Sequence, residues 1–305
     1  MSRRRPRGRD LTGILLLDKP SGISSNQALQ QVKRLFQAQK AGHTGSLDPL
    51  ATGMLPVCFG AATRISPFLL DADKSYRTVA RLGEATDTGD AEGALIYRCA
   101  VPPLDAETIE SVLRRFRGEI EQIPPMYSAL RHKGQRLYEL ARQGKTVERP
   151  PRAVTIHKLE LIALHETGFE LEVRCSKGTY IRTLVEDIGR ALDCCAHVTE
   201  LRRTVVHPFE GLGMVSLERL EAMASTDRAS LDGVLLPADA GLGHWPEVLL
   251  DERQTERILH GQTVAQPGLP TTEWIRMYSS ERVFLGIGNA RKGCLAPRRL
   301  FVKPT

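Results

Sequence analysis

The stretch at residues 41–64, AGHTGSLDPLATGMLPVCFGAATR, constrains the chain more than any other. Glycines at 42, 45 and 53 permit backbone angles that other residues resist, and Pro49 keeps Asp48 out of the helical region. Asp48 is therefore expected on a defined loop, with residues 55–59 forming the buried strand that follows. No Lys or Arg lies within five residues of it. Two readings fit a short carboxylate in such a place. It caps its own loop as an Asx turn, or it serves as a nucleophile or general base.

Upstream, residues 13–17 (GILLL) read as a buried strand, followed by a turn at 18–22. Ser24 or Ser25 then caps a helix with Leu29, Val32 and Leu35/Phe36 on one face. Residues 61–70 read as helical and 75–83 as an alternating strand, with Tyr76 at its start as an edge tyrosine packing across strands. The polar loop at 85–90 has no metal-ligand spacing. Residues 105–118 make the clearest helix, with Ile109, Val112, Leu113 and Phe116 on one face and Gly118 as its C-terminal cap. A hairpin at 154–164 and 169–175 runs into Tyr180 and Arg182, where strand gives way to a helix. Arg182 either pairs with Glu186 one turn on or has a functional role there. Residues 197–204 form a further strand carrying Leu201, and 211–244 form an irregular helical connector. A helix at 251–260 and strands near 274–277, 283–287 and 295–302 build a small β-rich module.

Residues 124–152 differ in character. Between Pro124-Pro125 and Pro150-Pro151 stand Arg131, Lys133, Arg136, Arg142, Lys145 and Arg149, interleaved with Tyr127, His132 and Tyr138. A short amphipathic helix is expected near 137–143. Basic groups beside planar side chains suit an RNA backbone with unstacked bases; the alternative is a solvated charged hairpin. The net charge of 42 − 36 = +6 is compatible with a polyanionic partner. The arm at residues 1–10 holds five arginines against one aspartate and reads either as disordered or as a phosphate contact. Six cysteines without CxxC or zinc spacing read as reduced, mostly buried thiols of a cytoplasmic protein. No export signal or membrane-spanning run appears, so no membrane partner is expected. The absence of a P-loop, a dinucleotide fingerprint and a Cys/His cluster points to no cofactor and no metal.

The wording of several stretches resembles the TruB family of tRNA pseudouridine synthases: GHTGSLDPLATGMLPVCFGAATR, Lys74-Ser75-Tyr76, PPMYSALRHKGQRLYELAR and CSKGTYIR. The resemblance is strong from residue 13 to 204 and looser beyond. It implies an α+β fold with a mixed, mostly antiparallel central sheet flanked by helices. Residues 11–244 would be the catalytic domain, with 124–152 as an inserted thumb that pins the T stem-loop of tRNA. Residues 245–305 would be a PUA-like RNA-binding domain. It implies that Asp48 is the nucleophile, that Arg182 pairs with it, and that Tyr76 stacks on the flipped base. Tyr180 and Leu201 would line the pocket and His43 would hold the flipped region, with Lys19-Pro20 supporting the loop. The implied reaction turns uridine 55 of the T loop into pseudouridine. Attack at C1′, attack at C6 and removal of a C2′ proton all stay open as its path. The stand-alone thumb and short C-terminal module resemble the bacterial branch, which implies no guide RNA, and a monomer is expected. A tRNA-folding chaperone and a uridine glycosylase on the same pocket are the competing functions.

Overall fold

The computed structural model describes residues 8–302. β1 (Gly13–Lys19) leads through the Ser24-capped α1 (Ser25–Leu35) to a short β2 (Ala41–His43), the Asp48 loop and β3 (Thr52–Phe59). α2 (Ser66–Asp71) and β4 (Lys74–Leu82) follow, then a hairpin of β5 (Glu84–Thr86) and β6 (Leu95–Arg98). α3 (Ala106–Arg114) and β7 (Gly118–Gln122) precede the basic excursion, which contains β8 (Arg131–His132), β9 (Gln135–Arg136) and α4 (Leu137–Ala141). Next come β10 (Arg152–His165), β11 (Gly168–Cys175), α5 (Ile181–Ala191), β12 (Ala196–Val206), β13 (Val215–Ser216) and α6 (Leu217–Thr226). The C-terminal part holds β14 (Glu247–Leu250), α7 (Glu252–Leu259), β15 (Val264–Ala265), β16 (Thr272–Ser279), β17 (Phe284–Arg291) and β18 (Cys294–Leu300).

Nine strands form one sheet in the order β13-β1-β3-β12-β4-β11-β10-β7, with β2 added on β3. Only the β1–β13 and β3–β12 pairs are parallel. The expected mixed, mostly antiparallel sheet is therefore present, and β3, β12 and β4 lie at its centre. The GILLL run has its cause in this placement. Leu15 and Leu17 enter the core under α1, α3 and α5, while Ile14 and Leu16 enter a second core on the other face. A strand buried on both faces reads as a continuous apolar run. The second core also receives Leu69 of α2 and Ile287 of β17, so the C-terminal five-stranded sheet packs against the back of the large one. Phe68 sits edge-on to Trp245 and Trp274, each 4.8 Å away between ring centres.

Four expectations need correction. Tyr76 is not at an edge: β4 is flanked by β12 and β11, which place Arg203 and Val173 opposite it. The 105–118 helix ends at Arg114, because Arg115 and Phe116 donate to Val112 and Leu113 in tight turns. Gly118, at φ +85°, then starts β7 instead of capping the helix. The cysteines are not all free: Cys99 and Cys195, 96 residues apart, form a disulfide. Gly83 joins their backbones, accepting from Cys99 N and donating to Cys195 O, a proximity that no local spacing signals. Finally, the basic arm is partly fixed. Residues 1–7 lie outside the described residues, but Arg9 donates to Gln37 O and forms an ion pair with Asp232.

Candidate active site

The loop carrying Asp48 is fastened from below. Leu47 N donates to Ser25 Oγ at 2.7 Å, and Gly22 N donates to Pro49 O at 2.9 Å. Lys19, fully buried, donates from Nζ to Pro20 O, Ile23 O and Pro49 O at 2.7, 2.7 and 3.2 Å. Its desolvation lowers its pKa to about 8. The Lys19-Pro20 turn is thus tied directly to the Asp48 loop.

The Asp48 carboxylate is not used by its own turn. Oδ2 lies 2.9 Å from Arg182 Nε and Oδ1 accepts from Arg182 Nη2 at 3.3 Å. That geometry decides against the Asx-turn reading and against an Arg182–Glu186 pair. Arg182 has no further freedom. Nη1 donates to Thr88 O at 2.5 Å, Nη2 to Tyr127 O at 2.8 Å, and Asp90 Oδ2 stands 3.7 Å from Nε. The arginine side chain is 5% exposed and Asp90 7%, whereas Asp48 is 39% exposed and open to a ligand. Burial pushes the Asp48 carboxyl above its ordinary range; Arg182 opposes that push and Asp90 adds to it.

α5 begins at this point because Tyr180 is held extended, with Gln122 accepting from its N at 3.0 Å and donating to its O at 3.3 Å. Tyr180 thus stands at the start of α5, and Tyr76 stands on β4. Burial raises both phenols, and Asp48 lies near enough to each to add to that rise. Leu201 of β12 is buried in the same core as Tyr76. His43, on β2, has a buried Nδ1 with no hydrogen-bond partner among the described residues. Its desolvation, then the nearby Arg203 charge, lower its pKa and favour neutral imidazole.

The basic residues stand apart from this network. Arg131, Lys133, Arg136, Arg142 and Lys145 are all exposed. Tyr138 carries the guanidiniums of Arg136 and Arg142 at 5.8 and 5.5 Å from its ring centre. The root of the excursion does reach the cleft, through Tyr127 O on Arg182 and the Tyr127 hydroxyl on Asp87 Oδ2 at 3.3 Å. Sequence reading gave no site role to Asp90, Gln122 or Arg203, and placed Tyr127 only among the planar side chains of the basic excursion. The loop at 85–90 had drawn attention as a polar turn, and Arg202-Arg203 is a doublet in a strand; those were the only available signals.

Family models give this arrangement its class. TruB family pseudouridylate synthase (N terminal domain) matches residues 33–181, tRNA pseudouridylate synthase B C-terminal domain matches 182–243, and Pseudouridine synthase II TruB, C-terminal, matches 246–301. The class is that of the pseudouridylate synthases. The tRNA pseudouridine synthase B of Chromohalobacter salexigens is 56% identical over 303 residues, covering 98% of this chain and 97% of that one. The Pseudomonas aeruginosa protein of the same name is 53% identical over 294 residues, covering 96% of each. The chain belongs to the TruB family. Among solved structures, a Cbf5-Nop10-Gar1 complex matches with a TM-score of 0.74 at 25% identity, covering 96% of this chain and 85% of that one. An H/ACA RNP bound to a substrate RNA containing 2′-deoxyuridine also reaches 0.74, at 22% identity over 96% and 86%, and speaks to the fold alone.

Proposed function

We propose that this protein converts uridine 55 in the T loop of tRNA to pseudouridine. One observation carries the reading: among the described residues the Asp48 carboxylate has Arg182 as its only hydrogen-bond and ion-pair partner, which leaves an open carboxylate aligned by a buried arginine. The N1–C1′ bond breaks, the base turns, and C5–C1′ forms. C5 gives up a proton and N1 gains one, so no oxidant or energy source enters the balance. Asp48 acts ionised, whichever of the three paths it follows. Arg182 aligns it and favours its charge, and Asp90 holds Arg182 from behind. The uridine must leave its stack to reach the loop. Tyr76 stacks on it, Tyr180 and Leu201 wall the pocket, and His43 holds the flipped region. The excursion at 124–152 acts as the thumb, with Arg131, Lys133, Arg136, Arg142 and Lys145 on the RNA backbone, and the C-terminal sheet is a second, PUA-like RNA contact. The protein works as a monomer in the cytoplasm, without a guide RNA. Catalysis is its primary role, since a folding chaperone has no need of an aligned Asp48–Arg182 pair.

The test is nucleoside mapping of unmodified tRNA after incubation with the protein. Pseudouridine at position 55 with no free uracil is expected. Free uracil would indicate a glycosylase, and intact uridine with tightly bound tRNA would indicate a binding module.

A further inference from the structure

β12 carries two arginines in succession, and a strand sends neighbours to opposite faces. Arg202 takes the outer side and binds the Asp18 carboxylate at 3.0 and 2.8 Å. Arg203 turns inward and is 1% exposed, among the largest fully buried side chains of the chain. No carboxylate among the described residues pairs with it. A buried cation without a counter-ion costs stability that an apolar side chain of similar volume would not, so stability alone gives no reason for it.

Its donors explain the position. Nε donates to Met54 O of β3 at 2.7 Å, and Nη2 donates to Gly45 O, three residues before Asp48, at 3.1 Å. In the β12–β4 register it stands opposite Tyr76, so the two buried side chains share a face, and its charge lies near enough to the Tyr76 phenol to oppose the rise that burial causes. Backbone packing locks it in place: a Cβ at Gly53 would come 2.2 Å from Arg203 O, so only glycine admits this approach. One planar fork thus meets the Asp48 loop, β3 and β4 together. A lysine ammonium, a single point of donation, cannot span all three.

We infer that Arg203 is a positioning residue for the isomerisation, fixing the Tyr76 side chain relative to the loop that carries Asp48. It acts through Tyr76 and does not touch the uridine. The inference rests on the synthase reading above, and the assay separates the two. Single-turnover pseudouridine formation and tRNA Kd are measured for wild type, Arg203→Lys, Tyr76→Phe and the double variant. An inactive wild type overturns the synthase reading itself. With an active wild type, Arg203→Lys is expected to slow the reaction by about tenfold or more, as small misplacements in a site do, while leaving Kd unchanged. In the Tyr76→Phe background the same substitution adds little, because the phenol it holds is gone. A wild-type rate for Arg203→Lys, a loss that multiplies in the double variant, or a parallel loss of binding overturns the inference. Where thermal melting shows that Arg203→Lys does not fold, Arg203→Gln takes its place in the same comparison. A further readout needs no change at Arg203: the Tyr76 hydroxyl proton of the wild type should give a slowly exchanging NMR signal that Tyr76→Phe removes. Absence of that signal contradicts a held phenol.

Discussion

Arginine does two different jobs in the cleft and in the basic excursion. In the cleft, Arg182 is 5% exposed and its donors go to Asp48, Thr88 O and Tyr127 O. Its value is geometric: every partner fixes it. In the excursion, Arg131 and Arg136 are exposed on two two-residue strands, and Arg142 is exposed at the C-terminal cap of a five-residue helix. Their value is charge, which works at a distance and tolerates motion. On the proposed function, the difference teaches that chemistry is over-determined by buried contacts, while docking is spread over replaceable ones. Losses in the cleft should appear in the rate, and losses in the excursion in affinity and its salt dependence.

The strongest way to break that contrast is to neutralise Asp48. Asp48→Asn should lower the single-turnover rate by at least about a thousandfold, as loss of a nucleophile does, with tRNA Kd from filter binding unchanged. A comparable loss of binding would merge the two regions into one function. Next, Arg182→Gln should cost about a hundredfold in rate, because Asp48 loses its alignment. The same variant sharpens the comparison through pH. Asp48 must be ionised to act, so activity falls as pH drops through its pKa. Burial places that pKa above the ordinary aspartate range and Arg182 restrains it. The acid limb of the wild-type rate profile should therefore lie higher than for an exposed aspartate, and Arg182→Gln should move it higher still. An unmoved limb would contradict Arg182 as the group that favours the charged form.

A triple Arg131→Ala, Lys133→Ala, Arg142→Ala variant should weaken tRNA binding and reduce the slope of log Kd against log salt by about two to three, one phosphate per lost charge. Its rate at saturating tRNA should stay near wild type. The smallest effect is expected at Ser24, whose Oγ caps α1 by accepting from Gln27 N at 3.2 Å. Ser24→Ala should cost about 1 kcal/mol of stability in denaturant unfolding without changing rate or Kd.

Much of this contrast was legible in the residues. The Gly/Pro framing of Asp48, the apolar GILLL run and the charge-dense stretch between two proline pairs each state a local cause, and the structure has a loop, a two-faced strand and an exposed excursion there. The wording of the stretches around Tyr76 and Arg182 also supplied the family. What stayed hidden depends on contacts far apart in sequence. Asp90 looks like any loop acid until α5 brings Arg182 to it. Gln122 lies on a short, mostly polar strand that periodicity does not register, yet it fixes Tyr180 58 residues later. Arg202 and Arg203 read alike in a row, and only the strand's alternation separates a surface ion pair from a buried fork. Cys99 and Cys195 meet through Gly83, which no cysteine spacing reveals.

The central claim is that an open, Arg182-aligned Asp48 carboxylate performs the isomerisation. Tritium release from tRNA carrying [5-³H]uridine tests it most directly, because forming C5–C1′ frees the C5 hydrogen. At saturating tRNA, wild type should release tritium and Asp48→Asn should release none while still binding tRNA. Equal release by both proteins would contradict the account and assign the chemistry to another residue.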